Sequence, residues 1–187
     1  MATAIKAPAQ NRIPTGSWSV DPIHSSIGFE VKHMAVSTFR GDFREFDALL
    51  EASEGGSRLV GTAQVESVDV RDENLAAHLA SEEFFDVGRH PEIRFVSTDI
   101  RLGDDGDVVA DGELTVKGRT KAVEGRGRLV HIGEDISGAE RIGLSLEATV
   151  DRREFGLEWN APLPKGGFAI GNDVKLVVTL ELVPKDV

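Results

Sequence analysis

The chain contains no cysteine, which excludes disulfides, thiolate catalysis and cysteine-based zinc sites and says nothing about compartment. It is also poor in positive charge: 21 Lys and Arg stand against 32 Asp and Glu, for a formal net charge of −11. Nucleic-acid binding needs concentrated cations to meet phosphates, so that class is disfavoured. Adsorption to an anionic membrane surface is disfavoured too, though less strongly. No stretch approaches the roughly 20 apolar residues of a transmembrane helix. Residues 1–15 (MATAIKAPAQNRIPT) lack the roughly 7–15 apolar residues at the centre of a signal peptide. A cytoplasmic protein with no stable membrane insertion is the expectation.

Catalytic signatures are missing as well. There is no GxSxG, which excludes the nucleophile elbow of an α/β-hydrolase. The histidines (His24, His33, His78, His90 and His131) form no HxH or HExxH pair, so a metal site would need ligands converging from distant segments. Gly125-Arg126-Gly127 lacks the pattern of a dinucleotide loop. The acidic stretches at 72–83 and 103–107 lack the arrangement of a calcium loop. No catalytic set, resident metal or cofactor is expected.

What is present is the material of one globular domain. The 187 residues are 40% hydrophobic and include 20 glycines, enough for a real core or an enclosed cavity. Residues 1–15, with Pro8 and Pro14, read as a flexible tail, leaving 16–187 as the folded domain. After a bend at Asp21-Pro22, Ile27, Phe29 and Val31 alternate with polar residues or glycine, the signature of a half-buried strand. In residues 34–52, Phe39 and Phe43 share one parity and Phe46, Ala48 and Leu50 the other. The same switch recurs in 58–70, between Leu59, Ala63, Val65 and Val68, Val70. It recurs again in 92–102, between Ile93, Phe95 and Ile100, Leu102. Each switch predicts a bulge or strong bend.

The turn at 103–106 is rich in residues that tolerate positive φ. Further strands follow at 108–116 and 120–132. Residues 141–150 and 173–183 alternate cleanly, with Ile142, Leu144, Leu146, Ala148 and Val150 facing inward. Eight long strands joined mostly by short turns, with no βαβ rhythm, predict an all-β fold. An antiparallel up-and-down barrel fits best, because closure removes the edges that such strands would expose.

Two segments depart from that pattern. Residues 71–91 (RDENLAAHLASEEFFDVGRHP) read as one short helix, capped by Asp72, with Leu75, His78 and Leu79 on one face. Ser81 is expected to cap a following turn that carries Phe84 and Phe85. Residues 151–171 (DRREFGLEWNAPLPKGGFAIG) are a connection too long to be idle and too apolar to be disordered. They read as a flap packed over one side or mouth of the barrel.

The binding candidates follow from parity, helix and flap: Phe29, Val31, Phe39, Phe43, Phe84, Phe85, Phe95, Trp159 and Phe168. A lined tunnel and a filled core are both open readings of this set. His78 suits either a headgroup contact or a satisfied core histidine. Basic residues cluster near one turn (Lys117, Arg119 and Lys121) and in the flap (Arg152, Arg153 and Lys165). They suit either solvated surface or an anionic headgroup, for which arginine is the bidentate partner; Arg152 is the candidate headgroup contact.

Several ordered blocks then show a resemblance over nearly the whole chain, from about Gly16 to Val183. These are SWSVDPIHSSIGFEVKHMAVSTFRGDF, RDENLAAHLASEEFFDVGRHPEIRFVST, DGELTVKGRTKAV, DRREFGLEWNAPLP and GNDVKLVVTLEL. Together they resemble the YceI-like polyisoprenoid-binding proteins. The resemblance implies an eight-stranded antiparallel lipocalin-like barrel, with the short helix and long flap as its additions. It implies non-catalytic binding, storage or transport of a long-chain isoprenoid, such as a polyprenyl phosphate or an isoprenoid quinone, in an apolar tunnel. The alternatives are a binder of fatty acids or fatty amides, or an enzyme acting on such a lipid. The resemblance also leads us to expect a homodimer.

Overall fold

The computed structural model describes residues 13–185. Residues 1–12 of the expected tail lie outside them, whereas Ile13 packs against the core and the Pro14 carbonyl accepts from Trp18 Nε1 at 3.1 Å. The strands are β1 (Gly16–Val20), β2 (Ser26–His33), β3 (Ser37–Phe43), β4 (Phe46–Ser53), β5 (Gly56–Gln64), β6 (Val68–Asp69), β7 (Glu92–Leu102), β8 (Asp107–Val116), β9 (Arg119–Ile132), β10 (Arg141–Asp151) and β11 (Ile170–Pro184). The first six combine in pairs. β1 and β2 both lie along β11, β4 and β3 lie along β1 and β2, and β5 and β6 lie along β4 and β3. Each pair is therefore one long stave broken by a bend. With β7 to β11 they make a closed barrel of eight antiparallel staves.

The parity switches mark real breaks in the wall. Residues 34–52 are not one strand but β3 and β4, separated at Arg44-Glu45. Residues 58–70 are interrupted by a 3-10 turn at Val65–Ser67. In β7 the register against β8 shifts between Ser97 and Asp99, so Thr98 is an extra residue. Such breaks let long staves coil and close without exposing their apolar face.

Inside, the barrel has two unlike halves. One is solid, packed by Trp18, Leu50, Val108, Leu129, Ile142 and Leu182. The other holds Phe43, Ala63, Leu114, Val116 and the side chains of the helix and flap. The inward residues change size between the halves. Along β10, Ile142, Leu144 and Leu146 give way to Ala148 and Val150, and along β5 Leu59 gives way to Gly61 and Ala63. Smaller side chains on a wall of fixed diameter leave the second half hollow.

The helix α1 (Glu73–Ala80) joins β6 to β7 at the hollow end, and the Asp72 carboxylate accepts from Leu75 N–H at 2.8 Å as its cap. Ser81 differs from the expectation. It ends α1, its hydroxyl donating to the His78 carbonyl at 2.7 Å, because the last carbonyls of a helix need donors from outside it. Its own carbonyl accepts from Phe84 N–H at 3.1 Å and Asp86 N–H at 2.8 Å, which forms the turn that carries Phe84 and Phe85. Among the described residues no helix is long and apolar enough to cross a membrane.

Candidate functional site

The hollow half encloses a chamber of about 640 Å³, within the roughly 300–1,000 Å³ of small-molecule sites. Its floor is Ala48, Leu59, Leu146 and Leu180, the inner face of the solid half. Aromatic side chains form much of the wall. Phe29 lies 5.9 Å from Phe43 and 6.3 Å from Phe39, and Phe43 lies 6.4 Å from Phe85, measured between ring centres. Val31 and Phe95 complete the expected wall residues in contact with the space.

Glycines keep these rings out of the centre. Phe29 faces Gly41 across the β2–β3 ladder, and a Cβ on Gly41 would stand 2.6 Å from the Phe29 ring. Phe95 lies over Gly112 of β8 in the same way, 2.5 Å from where a Cβ would be. The rings therefore lie flat on the neighbouring strand. The sequence reading missed both glycines, because each acts through a partner that is distant in the chain.

Helix and flap close one end together. The Trp159 ring meets His78 at 4.7 Å and Phe84 at 5.5 Å, and His78 meets Phe84 at 5.0 Å. Of the two openings left for His78, the structure shows a ring set edge-on against the closure, with Nε2 3.0 Å from the Glu83 carboxylate. The flap is tied to the barrel at two points. Asn160 Nδ2 donates to the Ile170 carbonyl at 2.7 Å, while its Oδ1 accepts from Ala161 and Ile170 N–H, each at 3.0 Å. Arg152, 4% exposed, donates from Nε to the Gly171 carbonyl at 2.9 Å. Its Nη1 donates to the carbonyls of Leu157 and Trp159.

Arg152 also borders the chamber, and it forms no ion pair among the described residues; the adjacent Asp151 pairs with Arg153 at 2.5 Å. Burial pushes the guanidinium pKa down, as expected for a cation removed from water without a counter-ion. The other basic candidates are elsewhere: Arg153 and Lys165 are exposed, and Lys117 Nζ donates to the Glu82 carbonyl at 2.8 Å.

Phe168 is a correction. It is 64% exposed and does not line the chamber, whereas the next residues, Ala169 and Ile170, do. Gly166 and Gly167, at φ of +93° and +89°, turn the flap so that Phe168 points outward. Strand parity does not hold in such a segment.

The chamber opens at the tip between β2 and β3, where Lys32, His33 and Ser37 are both exposed and part of its wall. Far away on the outside of the solid half, Asp21, His24 and Glu181 converge as a cation site would require. Arg141 already fills that role, with Nη1 3.0 Å from Asp21 and 2.6 Å from Glu181, and Nε 2.7 Å from Asp135.

Comparison with known proteins gives the same picture. The profile of the YceI-like domain matches residues 18–182. A UPF0312 protein of Pectobacterium atrosepticum is 32% identical over 162 residues, covering 84% of this chain and 80% of the relative. Burkholderia cenocepacia BcnA superposes with a TM-score of 0.73 at 21% identity, over 87% of this chain and 98% of that one. A polyisoprenoid binding domain from Saccharophagus degradans gives 0.66 at 11% identity, over 90% and 98%.

Proposed function

This chain belongs to the YceI-like family, and from that premise we propose that it binds one isoprenoid lipid, tail in the chamber and anionic head against Arg152. The observation that carries the reading is the chamber itself. It is an apolar space of about 640 Å³ with one buried guanidinium on its border that forms no ion pair among the described residues. Burying a tail in it removes apolar surface from water at about 25 cal/mol per Å². A phosphate or diphosphate head would supply the charge that Arg152 lacks, through charge-assisted hydrogen bonds. The likeness to a polyisoprenoid binding domain supports the choice of isoprenoid over a straight acyl chain. Binding is favoured over catalysis because sequestering a tail needs only this apolar wall.

The test compares geranylgeranyl phosphate with geranylgeraniol, which share a tail and differ in the head. We expect the phosphate to bind about tenfold more tightly or better, the worth of one charge-assisted hydrogen bond at about 1.5–3 kcal/mol. Equal affinities would reject the anionic head and leave a neutral quinone-type head. No binding of either, or turnover of the phosphate, would reject the binding reading.

A further inference from the structure

We propose that the mouth of the chamber is a docking face for an anionic lipid bilayer, through which a lipid enters and leaves. This rests on the lipid-binding reading for its purpose, but not for its evidence. The tip between β2 and β3 and the neighbouring flap present Met34 (43% exposed), Val36 (84%) and Phe168 (64%) to solvent. The two segments are joined, Met34 N–H donating to the Ala169 carbonyl at 2.8 Å. They are also continuous with the chamber: Lys32 and Ile170 belong both to its wall and to a shallow cleft bordered by Ala35 and Phe168.

The backbone at this tip is unusual. Val36 N–H donates to the His33 carbonyl at 3.1 Å across Met34 and Ala35, at φ of +50° and +60°. That is a two-residue turn with both central residues left-handed, a position that favours Asn-Gly. Keeping Met-Ala there costs conformational strain and places an apolar side chain at the outermost point of the hairpin.

Charge selects the partner. The chain as a whole repels an anionic surface, with a net charge of −11. Yet residues 31–41 and 159–172 contain no Asp or Glu at all, and carry Lys32 and Lys165 besides Arg40, which pairs with Glu30 at 2.7 Å. The other exposed large hydrophobics among the described residues, Ile23, Val130 and Ile136, lie at or beside the solid half, where Asp21, Glu134 and Asp135 accompany them. Among the described residues, only the mouth combines exposed apolar side chains, nearby lysines and an opening. A few apolar side chains with nearby cations give weak, reversible contact with an anionic surface, as delivery of a lipid requires.

The experiment is sedimentation of the lipid-stripped protein with phosphatidylcholine vesicles, with and without phosphatidylglycerol. We expect binding only with phosphatidylglycerol, reduced at least about fivefold in the Met34→Ser, Val36→Ser, Phe168→Ser triple variant. An Ile23→Ser, Ile136→Ser control should bind as the unaltered protein does. Transfer of a fluorescent isoprenoid from those vesicles should slow in the triple variant, while the amount held at equilibrium is unchanged. Failure of the unaltered protein to sediment, as for a face that docks another protein, would overturn the proposal. So would a triple variant that sediments normally, or a control that fails equally. Vesicle binding with no uptake of lipid would sustain the docking face and overturn the lipid-binding reading instead.

Discussion

Arg152 serves the fold and the site at once. Its guanidinium holds three carbonyls of the flap and its junction with β11, and it is 4% exposed with no carboxylate partner among the described residues. Removing it leaves buried acceptors without donors, at roughly 1–3 kcal/mol. Arg152→Met should therefore lower stability in urea unfolding by about that amount and quicken proteolysis of the flap near Lys165. It should also abolish the preference for geranylgeranyl phosphate over geranylgeraniol. Loss of stability with the preference intact would make Arg152 a strut only. Lysine is a poor replacement, because a point charge cannot span carbonyls that a planar fork spans. The sequence marked Arg152 as a candidate through its place in the flap. It could not show that the side chain turns inward, since Arg153, one residue on, pairs with Asp151 at the surface.

At the scale of elements, the wall is made by pairs of strands and not by strands alone. Phe29 on β2 is shaped by Gly41 on β3, and Phe95 on β7 by Gly112 on β8. Gly41→Ala tests this. The atoms nearest its Cβ would be those of the Phe29 ring and the end of Val70, so the ring must give way, and the open space beside it is the chamber. The cost in stability should stay below about 1.5 kcal/mol, because the ring moves into open space and not into packed atoms. Affinity for geranylgeranyl phosphate should fall at least about fivefold as the lumen narrows, each excluded CH₂ being worth about 0.8 kcal/mol. A large loss of stability with unchanged affinity would mean that Phe29 sits in solid core. Isothermal titration and thermal unfolding read the two quantities.

At the scale of the whole molecule, the barrel is a cup and not a tube. The half around Trp18, Leu50 and Ile142 is filled, so a tail entering at the β2–β3 tip stops at Leu146 and Leu180. A chamber of about 640 Å³ with a closed floor accepts a tail of limited length. Affinity should rise with each unit up to that length and then level off, because further units remain outside. Competition among prenyl phosphates of increasing length measures this. A rise continuing to eight units or so would show that the floor yields.

The sequence by itself determined the stave count, the inward face of nearly every strand, the three breaks in the wall, and the helix with its Asp72 cap. All of these follow from short-range physics: a side-chain period of two, positive-φ turns, and a carboxylate within reach of its own first-turn N–H. The same periodicity set Phe29, Val31, Phe39, Phe43 and Phe95 on the inward face, and in the structure these residues border the chamber. Only the tertiary structure decided whether that inward face is solid or hollow, since the answer depends on volumes summed across eight staves whose register no single strand encodes. It also separated Phe168 from Trp159, because side-chain direction in an irregular flap is set by Asn160, Arg152 and the turn at Gly166-Gly167 and has no period to read.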